Sequence, residues 1–175
     1  MDKDKVQTVL DWPTLVNIKQ LRGFLGLIGY YRKFIKSYAI ITTPLPNLLK
    51  NDKFLWREDA DEAFNKLKNV ITQAPVLTLP DFSKPFTLEI DASEIGVGVV
   101  LSQMQHPIAY FSKKLNVRMQ KQSAYAREFF ATTEAIPKFR HYLLGHKFVI
   151  KTDQKSLRSL TDQAVHIPEQ QKLVA

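Results

Sequence analysis

At 175 residues, with 45% hydrophobic and 24% charged residues, the chain has the composition of a globular protein of one domain or two small ones. It contains no cysteine, which excludes disulfide bonds and cysteine-ligated metals, so any metal must be held by oxygen ligands or by the four histidines. No stretch approaches the roughly 20 apolar residues of a membrane span, and no apolar signal core follows the N-terminus.

The chain has a net charge of +8, from 25 lysines and arginines against 17 aspartates and glutamates. The excess is divided equally between residues 1–80 and residues 81–175, at +4 each. A positive charge spread along the whole chain suits a protein that lies along a polyanion such as nucleic acid. It also occurs in many basic globular proteins, so the charge alone leaves both interpretations open.

The first elements are an irregular lead-in and a long helix. Residues 1–15 are predicted to be irregular, with a turn at Trp12. A helix is predicted over residues 18–36, because Asn17 and Gln20 have the spacing of a capping-box variant. Apolar residues then recur at steps of three and four, which is typical of an amphipathic helix.

Three glycines, Gly23, Gly26 and Gly29, interrupt this predicted helix. Each costs about 1 kcal/mol relative to alanine inside a helix, so their presence needs a reason. Their spacing leaves a bare strip on which another backbone can come close, either a second helix or a strand of nucleic acid. Residues 30–33 add two tyrosines, an arginine and a lysine, a mixture that can bind phosphates and sugars.

Two further stretches precede a boundary. Pro44 and Pro46 limit residues 37–51 to a short or broken helix. Residues 58–72 have a continuous apolar stripe and begin with several acids, which complement the helix dipole and predict a structural amphipathic helix. Residues 79–85 carry two prolines and few apolar groups, and they are the best candidate for a domain boundary.

A strand, a tight turn and two more strands are predicted next. Residues 86–91 alternate apolar and polar side chains, which indicates a strand with one buried face. Gly96 and Gly98 suit a sharp reversal or a close backbone approach, and residues 107–111 are predicted to form a third strand. A run of cations without acids follows, which is either a solvated surface or a site for a phosphate backbone: Lys113, Lys114, Arg118 and Lys121.

Three carboxylates stand out in the second half of the chain. Asp91 ends the first strand and has two interpretations, a residue in a cleft or a turn residue that accepts backbone amides. Glu128 shares a face with alanines in a helix predicted over residues 123–136, so it can approach a sheet, and Asp153 ends a further predicted strand. If all three converged they would repel one another unless hard cations such as Mg²⁺ or Mn²⁺ lay between them. Convergence is a hypothesis from spacing.

The elements around these acids are less regular. Pro137 is predicted to end or kink the helix, and to begin another that runs to Leu144 with Gly145 as its C-cap. The strand that ends in an aspartate is predicted over residues 147–153, and a last helix begins near residues 156–160.

Eight short segments together resemble the polymerase polyprotein of gypsy-class long-terminal-repeat retrotransposons, from the end of reverse transcriptase into ribonuclease H. They are residues 21–35, 64–68, 74–77, 80–86, 91–93, 107–112, 140–145 and 152–157. The resemblance implies an α/β fold in two parts. Residues 1–80 would be a small, mostly helical thumb and connection region, and residues 81–175 a ribonuclease H-like mixed sheet with packed helices, incomplete at its C-terminus.

The resemblance also implies a site and a substrate. Asp91, Glu128 and Asp153 match catalytic acids that hold two Mg²⁺ or Mn²⁺ ions and cleave the RNA strand of an RNA–DNA hybrid. The first helix would lie in the hybrid's minor groove, which favours nucleic acid over a second helix as the partner of its glycines. The predicted nucleic-acid-binding residues are Gly23, Gly26, Tyr30, Arg32, Lys33, Lys113, Lys114 and Lys155.

The chain also departs from the family. The family continues past the position of Ala175 with another strand, a helix and a fourth acid, and the polymerase palm precedes this region. We therefore expect no polymerase activity and weak or absent nuclease activity. The alternative is a non-catalytic module, domesticated or truncated, that binds nucleic acid or a protein partner. The resemblance further implies the rest of the polyprotein as a partner, no membrane, and a cytoplasmic or nuclear location.

Overall fold

A computed structural model describes residues 3–50, 54–73 and 77–153, without the side chains of residues 3–5. Its helices are α1 (Lys3–Leu10), α2 (Ile18–Tyr30), α3 (Tyr38–Ile41), α4 (Pro44–Leu48), α5 (Glu58–Thr72), α6 (Val117–Gln120), α7 (Ala124–Lys138) and α8 (Arg140–Leu143), with a 3₁₀ turn at Tyr31–Phe34. Its strands are β1 (Phe86–Ala92), β2 (Gly96–Gln103), β3 (His106–Lys114) and β4 (Phe148–Lys151). The predicted α/β class, with helices before a mixed sheet, is confirmed.

Helix α1 overturns part of the predicted lead-in, because residues 3–10 are helical rather than irregular. Val9 is fully buried, and Val6 packs against the same core one turn earlier. So short a helix is marginal on its own. Lys68 of α5 stabilises its end, because the ammonium group donates hydrogen bonds to the carbonyl oxygens of Leu10 (2.9 Å) and Trp12.

Helix α2 begins as predicted and ends early. The Asn17 side chain accepts a hydrogen bond from the Gln20 N–H (2.9 Å), and the Gln20 side chain accepts one from the N–H of Val16 (2.9 Å), one residue before the N-cap, so the predicted variant of the capping box is confirmed. The predicted end at residue 36 is wrong, because the α-helix stops at Tyr30 and a 3₁₀ turn follows. Ile35 then adopts extended backbone, which carries its side chain into the core.

The remaining helices of this region follow the prediction. Residues 37–51 contain two short helices, α3 and α4, and Pro44 occupies the first turn of α4, where a missing N–H costs little. Helix α5 has the predicted bounds and carries three acids in its first turn. Its apolar stripe is buried against α1, α2 and α4, and it consists of Ala60, Ala63, Phe64, Leu67 and Ile71.

The sheet has the order β3-β2-β1-β4. β1 pairs antiparallel with β2 and parallel with β4, and β2 pairs antiparallel with β3, so the sheet is mixed as predicted. β3 is longer than the predicted residues 107–111 because its end pairs with Gly96 and Val97 at the start of β2. β4 is shorter than predicted, since it ends at Lys151. The helix predicted near residues 156–160 lies outside the described residues.

Helix α7 packs on the face of the sheet that β1 fills with Leu88 and Ile90. Pro137 lies inside the last turn of α7, which ends one residue later and so close to the prediction, but the predicted start of the next helix at this proline is wrong, because α8 begins at Arg140. The turn survives because the Phe139 N–H still bonds to the Ala135 carbonyl (2.9 Å). Gly145 has a φ of 79°, as expected of a glycine that follows a helix.

The described residues form two hydrophobic cores, one on each side of the linker before β1 along the chain. One core is drawn from α1 to α5 and the other from the sheet with α7 and α8. Gln103, 6% exposed, fastens the linker through hydrogen bonds with the backbone of Asp81 (2.8 and 2.9 Å) and the Lys84 carbonyl (2.9 Å). The Ser112 hydroxyl of β3 accepts a hydrogen bond from the Ala39 N–H of α3 (2.9 Å). A division of the chain at residue 80 stays a prediction.

Candidate nucleic-acid interface and acidic site

The glycine face is the exposed surface of α2 that carries Gly23 and Gly26 and ends at Tyr30. These positions lie three and four residues apart, so they share one side of the helix. A Cβ added at Gly23 would come no closer than 3.7 Å to the Trp12 ring, and one at Gly26 would meet no described atom within 4 Å. Intramolecular packing therefore does not require a glycine at either position.

Gly29, the third glycine of the predicted strip, faces the junction with α3. A Cβ there would lie 3.8 Å from the hydroxyl oxygen of Tyr38, which is ordinary van der Waals contact. Burial raises the pKa of this tyrosine, and the nearby positive charge of Arg32 opposes the shift. The neutral phenol is therefore the form present at physiological pH.

The predicted aromatic and basic group lies where α2 gives way to the 3₁₀ turn. The Tyr30 side chain is 63% exposed, and the Nζ atom of Lys33 lies 5.6 Å from the centroid of its ring. Arg32 and Lys33 are both exposed, whereas the neighbouring Tyr31 is buried in the core. This end of α2 thus presents an aromatic ring and two cations to solvent.

The other predicted nucleic-acid-binding lysines have different surroundings. Lys113 makes an ion pair with Glu134 of α7 (2.7 Å), and its Nζ atom also lies 5.4 Å from the centroid of the Phe130 ring. Lys114 is exposed at the end of β3. Lys155 lies outside the described residues. Of the two described lysines, Lys114 is therefore the better placed to contact a ligand.

The three predicted acids belong to one end of the sheet. Glu89 of β1 pairs with Lys151 of β4, and the two strands run in parallel. Asp91 and Asp153 each follow a member of that pair by two residues, and both are exposed. Adjacent parallel strands thus carry the two aspartates past the same edge.

Glu128 reaches the same end of the sheet from α7. Its side chain is 5% exposed, and it shares its helix face with the buried Ala131 and Ala135, as predicted. One carboxylate oxygen accepts a hydrogen bond from the hydroxyl of Thr152, the residue before Asp153. Sequence reasoning missed Thr152; a hydroxyl residue directly before a strand-terminal aspartate was the available signal.

The acids are close in the fold without forming a metal cage. Among residues 3–50, 54–73 and 77–153, no group of three histidine, aspartate or glutamate side chains gathers closely enough to hold a metal ion. The elements that carry the acids meet at one end of the sheet, and the convergence of their side chains on a metal stays a prediction. In the same part of the chain, no helix is long and apolar enough to cross a membrane.

The sequence of the chain matches a known domain family and several known proteins. The RNase H-like domain found in reverse transcriptase matches residues 56–150. The retrovirus-related Pol polyprotein from transposon 297 of Drosophila melanogaster is 44% identical over 158 residues, which is 89% of this chain and 15% of that protein. The transposon Tf2-3 polyprotein of Schizosaccharomyces pombe is 37% identical over 163 residues, which is 89% of this chain and 12% of that protein. The chain thus spans less than a sixth of these relatives.

Solved structures show the same fold. The foamy viral protease-reverse transcriptase dRH in complex with double-stranded DNA superposes with a TM-score of 0.82 at 18% identity, over 94% of this chain and 30% of that one. The foamy viral protease-reverse transcriptase in complex with an RNA/DNA hybrid gives 0.80 at 17% identity, over 99% of this chain and 25% of that one. The chain therefore belongs to the RNase H-like domain family found in reverse transcriptases, and its relatives are retrotransposon polyproteins.

Proposed function

We propose that this chain is the part of a retroelement reverse transcriptase that holds an RNA–DNA hybrid and presents its RNA strand to an acidic site. The glycine face of α2 would lie along the minor groove of the hybrid, where A-form geometry exposes 2′-hydroxyls to close backbone contact. Arg32, Lys33 and Lys114 would bind phosphates, and Tyr30 would contact sugars.

The exposure of Gly26 carries this proposal. A glycine inside a helix costs about 1 kcal/mol relative to alanine, and this one relieves no crowding, because no described atom apart from its chain neighbours and the nearby backbone of its own helix lies within 4 Å of the Cβ that alanine would add. A ligand that needs the bare backbone explains such a position better than the fold does. The hybrid complex of the foamy viral reverse transcriptase, which has the same fold, supports this ligand class.

Asp91, Glu128 and Asp153 would hold the Mg²⁺ or Mn²⁺ ions that the resemblance implies. Their oxygen-only chemistry fits hard cations, and their elements meet at one end of the sheet. Bound there, such ions supply charge stabilisation and an activated water for phosphodiester hydrolysis. The chain's own contribution is to keep an exposed aspartate on β1, a second one two residues beyond β4, and a buried glutamate on α7.

The hydrogen bond from Thr152 favours a second candidate, a module that binds nucleic acid without cleaving it. The Glu128 carboxylate is already engaged by a hydroxyl, and the described acids do not gather into a cage. On this geometry we expect hybrid binding to be strong and cleavage by the chain alone to be weak or absent. The same surfaces would serve within a longer polyprotein, in a cytoplasmic or nuclear setting.

Incubation of the chain with a labelled RNA–DNA hybrid, in Mg²⁺ or Mn²⁺, tests both candidates. Binding is followed by fluorescence anisotropy and cleavage on a denaturing gel, with Asp91→Asn as the matched variant. We expect tight binding by both proteins and at most slow cleavage, confined to the unsubstituted chain. Rapid cleavage that disappears in Asp91→Asn would contradict the non-catalytic candidate, and the absence of hybrid binding would contradict the main proposal.

A further inference from the structure

A second surface, the β3 furrow, runs along the outer edge of β3. It lies between the end of α2 with α3 and α4 on one side, and the end of α7 with α8 on the other. It consists of two hollows of about 510 and 280 Å³, and Arg32, Tyr38 and Ser112 line both of them. The two hollows therefore adjoin at the junction between the helical region and the sheet.

The charge of the furrow is of one sign. No carboxylate belongs to its lining among the described residues, and cations come from both sides of the junction. Separate elements have thus placed several positive charges around one depression, which raises the local concentration of anions. The basic residues of the lining are Arg32, Lys33, Lys50, Lys114 and Lys138.

The furrow also carries aromatic faces. Tyr30, which is 63% exposed, and His141, which is also exposed, both line the larger hollow, and the His141 ring centroid lies 4.0 Å from that of Tyr142. Tyr110 of β3 lines the same hollow, and burial and then the negative charge of Glu89 raise its pKa, which keeps its hydroxyl a hydrogen-bond donor. Grooves that bind unpaired bases usually combine aromatic rings with positively charged side chains.

From these observations we propose that the β3 furrow binds a single-stranded segment of nucleic acid. Bases in a duplex are stacked on one another and cannot use the aromatic rings, whereas an unpaired strand can place bases on them and phosphates on the cations. Tyr30 belongs both to the glycine face and to the furrow, so a strand can pass from the hybrid into the furrow. The inference rests on the proposed function for its class of ligand.

The test compares two double variants of equal charge. Lys50→Gln with Lys138→Gln removes cations from the furrow, and Lys66→Gln with Lys147→Gln removes exposed cations outside it. Anisotropy is measured with oligothymidylate and oligouridylate of about 12 nucleotides, within the usual site sizes, and with the RNA–DNA hybrid. The two single strands distinguish DNA from RNA as the source of the segment.

We expect the furrow variant to bind the single strand about tenfold more weakly than the control variant, with a salt dependence shallower by about 0.7 per lysine removed. Its hybrid affinity should match that of the control. His141→Ala should weaken single-strand binding about fivefold or more through lost stacking, with His106→Ala as its control. An equal loss in His141→Ala and His106→Ala would contradict stacking of a base on the His141 ring.

Three results would overturn the inference: equal single-strand losses in the two double variants, an equal loss of hybrid and single-strand affinity in the furrow variant, or no single-strand binding by the unsubstituted chain. The proposed function fails separately. If the unsubstituted chain bound the single strand through the furrow but did not bind the hybrid, the furrow would stand and the hybrid proposal would fall.

Discussion

The glycines of the helical region and those of the sheet have opposite surroundings. Gly26 on α2 has open space where a Cβ would lie, whereas Gly96 on β2 has the Ile40 side chain at 2.8 Å and the carbonyl oxygen of Lys113 at 2.9 Å. Gly98 is intermediate, with the Ser37 hydroxyl oxygen at 3.2 Å. The sheet glycines let α3 approach the sheet, whereas no packing among the described residues requires a glycine at Gly23 or Gly26.

This difference shows that the spacing of glycines in a sequence does not reveal why a glycine is needed at each position. In the sequence, the glycines of α2 admit either a second helix or a nucleic-acid strand, and those of β2 suit either a turn or a close approach. Only the atoms that the folded chain places around each glycine distinguish these interpretations. Substitution by alanine should lower the free energy of unfolding where packing requires a glycine and raise it where packing does not. Such substitutions can therefore test the comparison.

Gly96→Ala has the largest expected effect. The new methyl group would clash with backbone at Lys113 as well as with a side chain, so relief requires α3 or β3 to move. We expect the free energy of unfolding to fall by about 2–3 kcal/mol, measured by urea denaturation. Gly98→Ala is the control and should cost less, because the Ser37 hydroxyl can turn away. An equal loss in both variants would contradict the packing explanation.

Ser112→Ala tests the same junction by removing a hydrogen-bond acceptor instead of adding volume. The Ala39 N–H at the start of α3 would lose its partner in a partly buried position. The expected loss of unfolding free energy is about 1–2 kcal/mol, with Ser112→Thr as the variant that retains a hydroxyl. If alanine and threonine had the same effect, the hydrogen bond would not be the cause.

Gly26→Ala should have the opposite sign. Alanine has a higher helix propensity, and its methyl group would meet no described atom, so we expect unfolding free energy to rise by about 1 kcal/mol. Denaturation of Gly23→Ala offers a comparison in which the Trp12 ring is near. A loss of stability in Gly26→Ala would mean that the fold requires this glycine. It would contradict the difference between Gly26 and the glycines of β2.

The smallest effect concerns the linker between the two regions. Hydrogen bonds from the Ser83 hydroxyl (2.6 Å) and N–H (3.1 Å), with Lys84 nearby (3.1 Å), lower the pKa of the exposed Asp81 carboxyl. Its contribution to stability is therefore complete above the ordinary carboxyl pKa and lost as the pH falls through the lowered one. Asp81→Asn should lower the melting temperature slightly at pH 7 and not at strongly acid pH; a pH-independent difference would contradict this.

The sequence predicted elements whose signals are local. The Asn17 cap, the bounds of α5 and the alanine-lined face of Glu128 each depend on residues within a few positions of one another. Helix α1 was missed because it is stabilised from a distance, by Lys68 and by burial of Val9. The sequence predicted that the acids lie at strand ends and on a helix face, but it could not predict which residues they contact.

The site was harder to predict for the same reason. The bond from Thr152 to Glu128 joins residues 24 positions apart, and the β3 furrow joins α2 to α8. Lys113 was expected on a ligand-facing surface because cations follow one another in the sequence, yet the fold pairs it with Glu134. A run of cations in the sequence shows how basic a segment is, but the fold determines which of those cations pair with a nearby acid.

Gly26→Leu tests the central claim, that the glycine face receives the hybrid, most directly. Leucine is a strong helix former, and it would project into open space, so the fold should keep its stability. The affinity for an RNA–DNA hybrid, measured by anisotropy, should fall about tenfold or more because the side chain holds the groove away from the backbone. A folded Gly26→Leu protein that binds the hybrid as tightly as the unsubstituted chain would contradict the account.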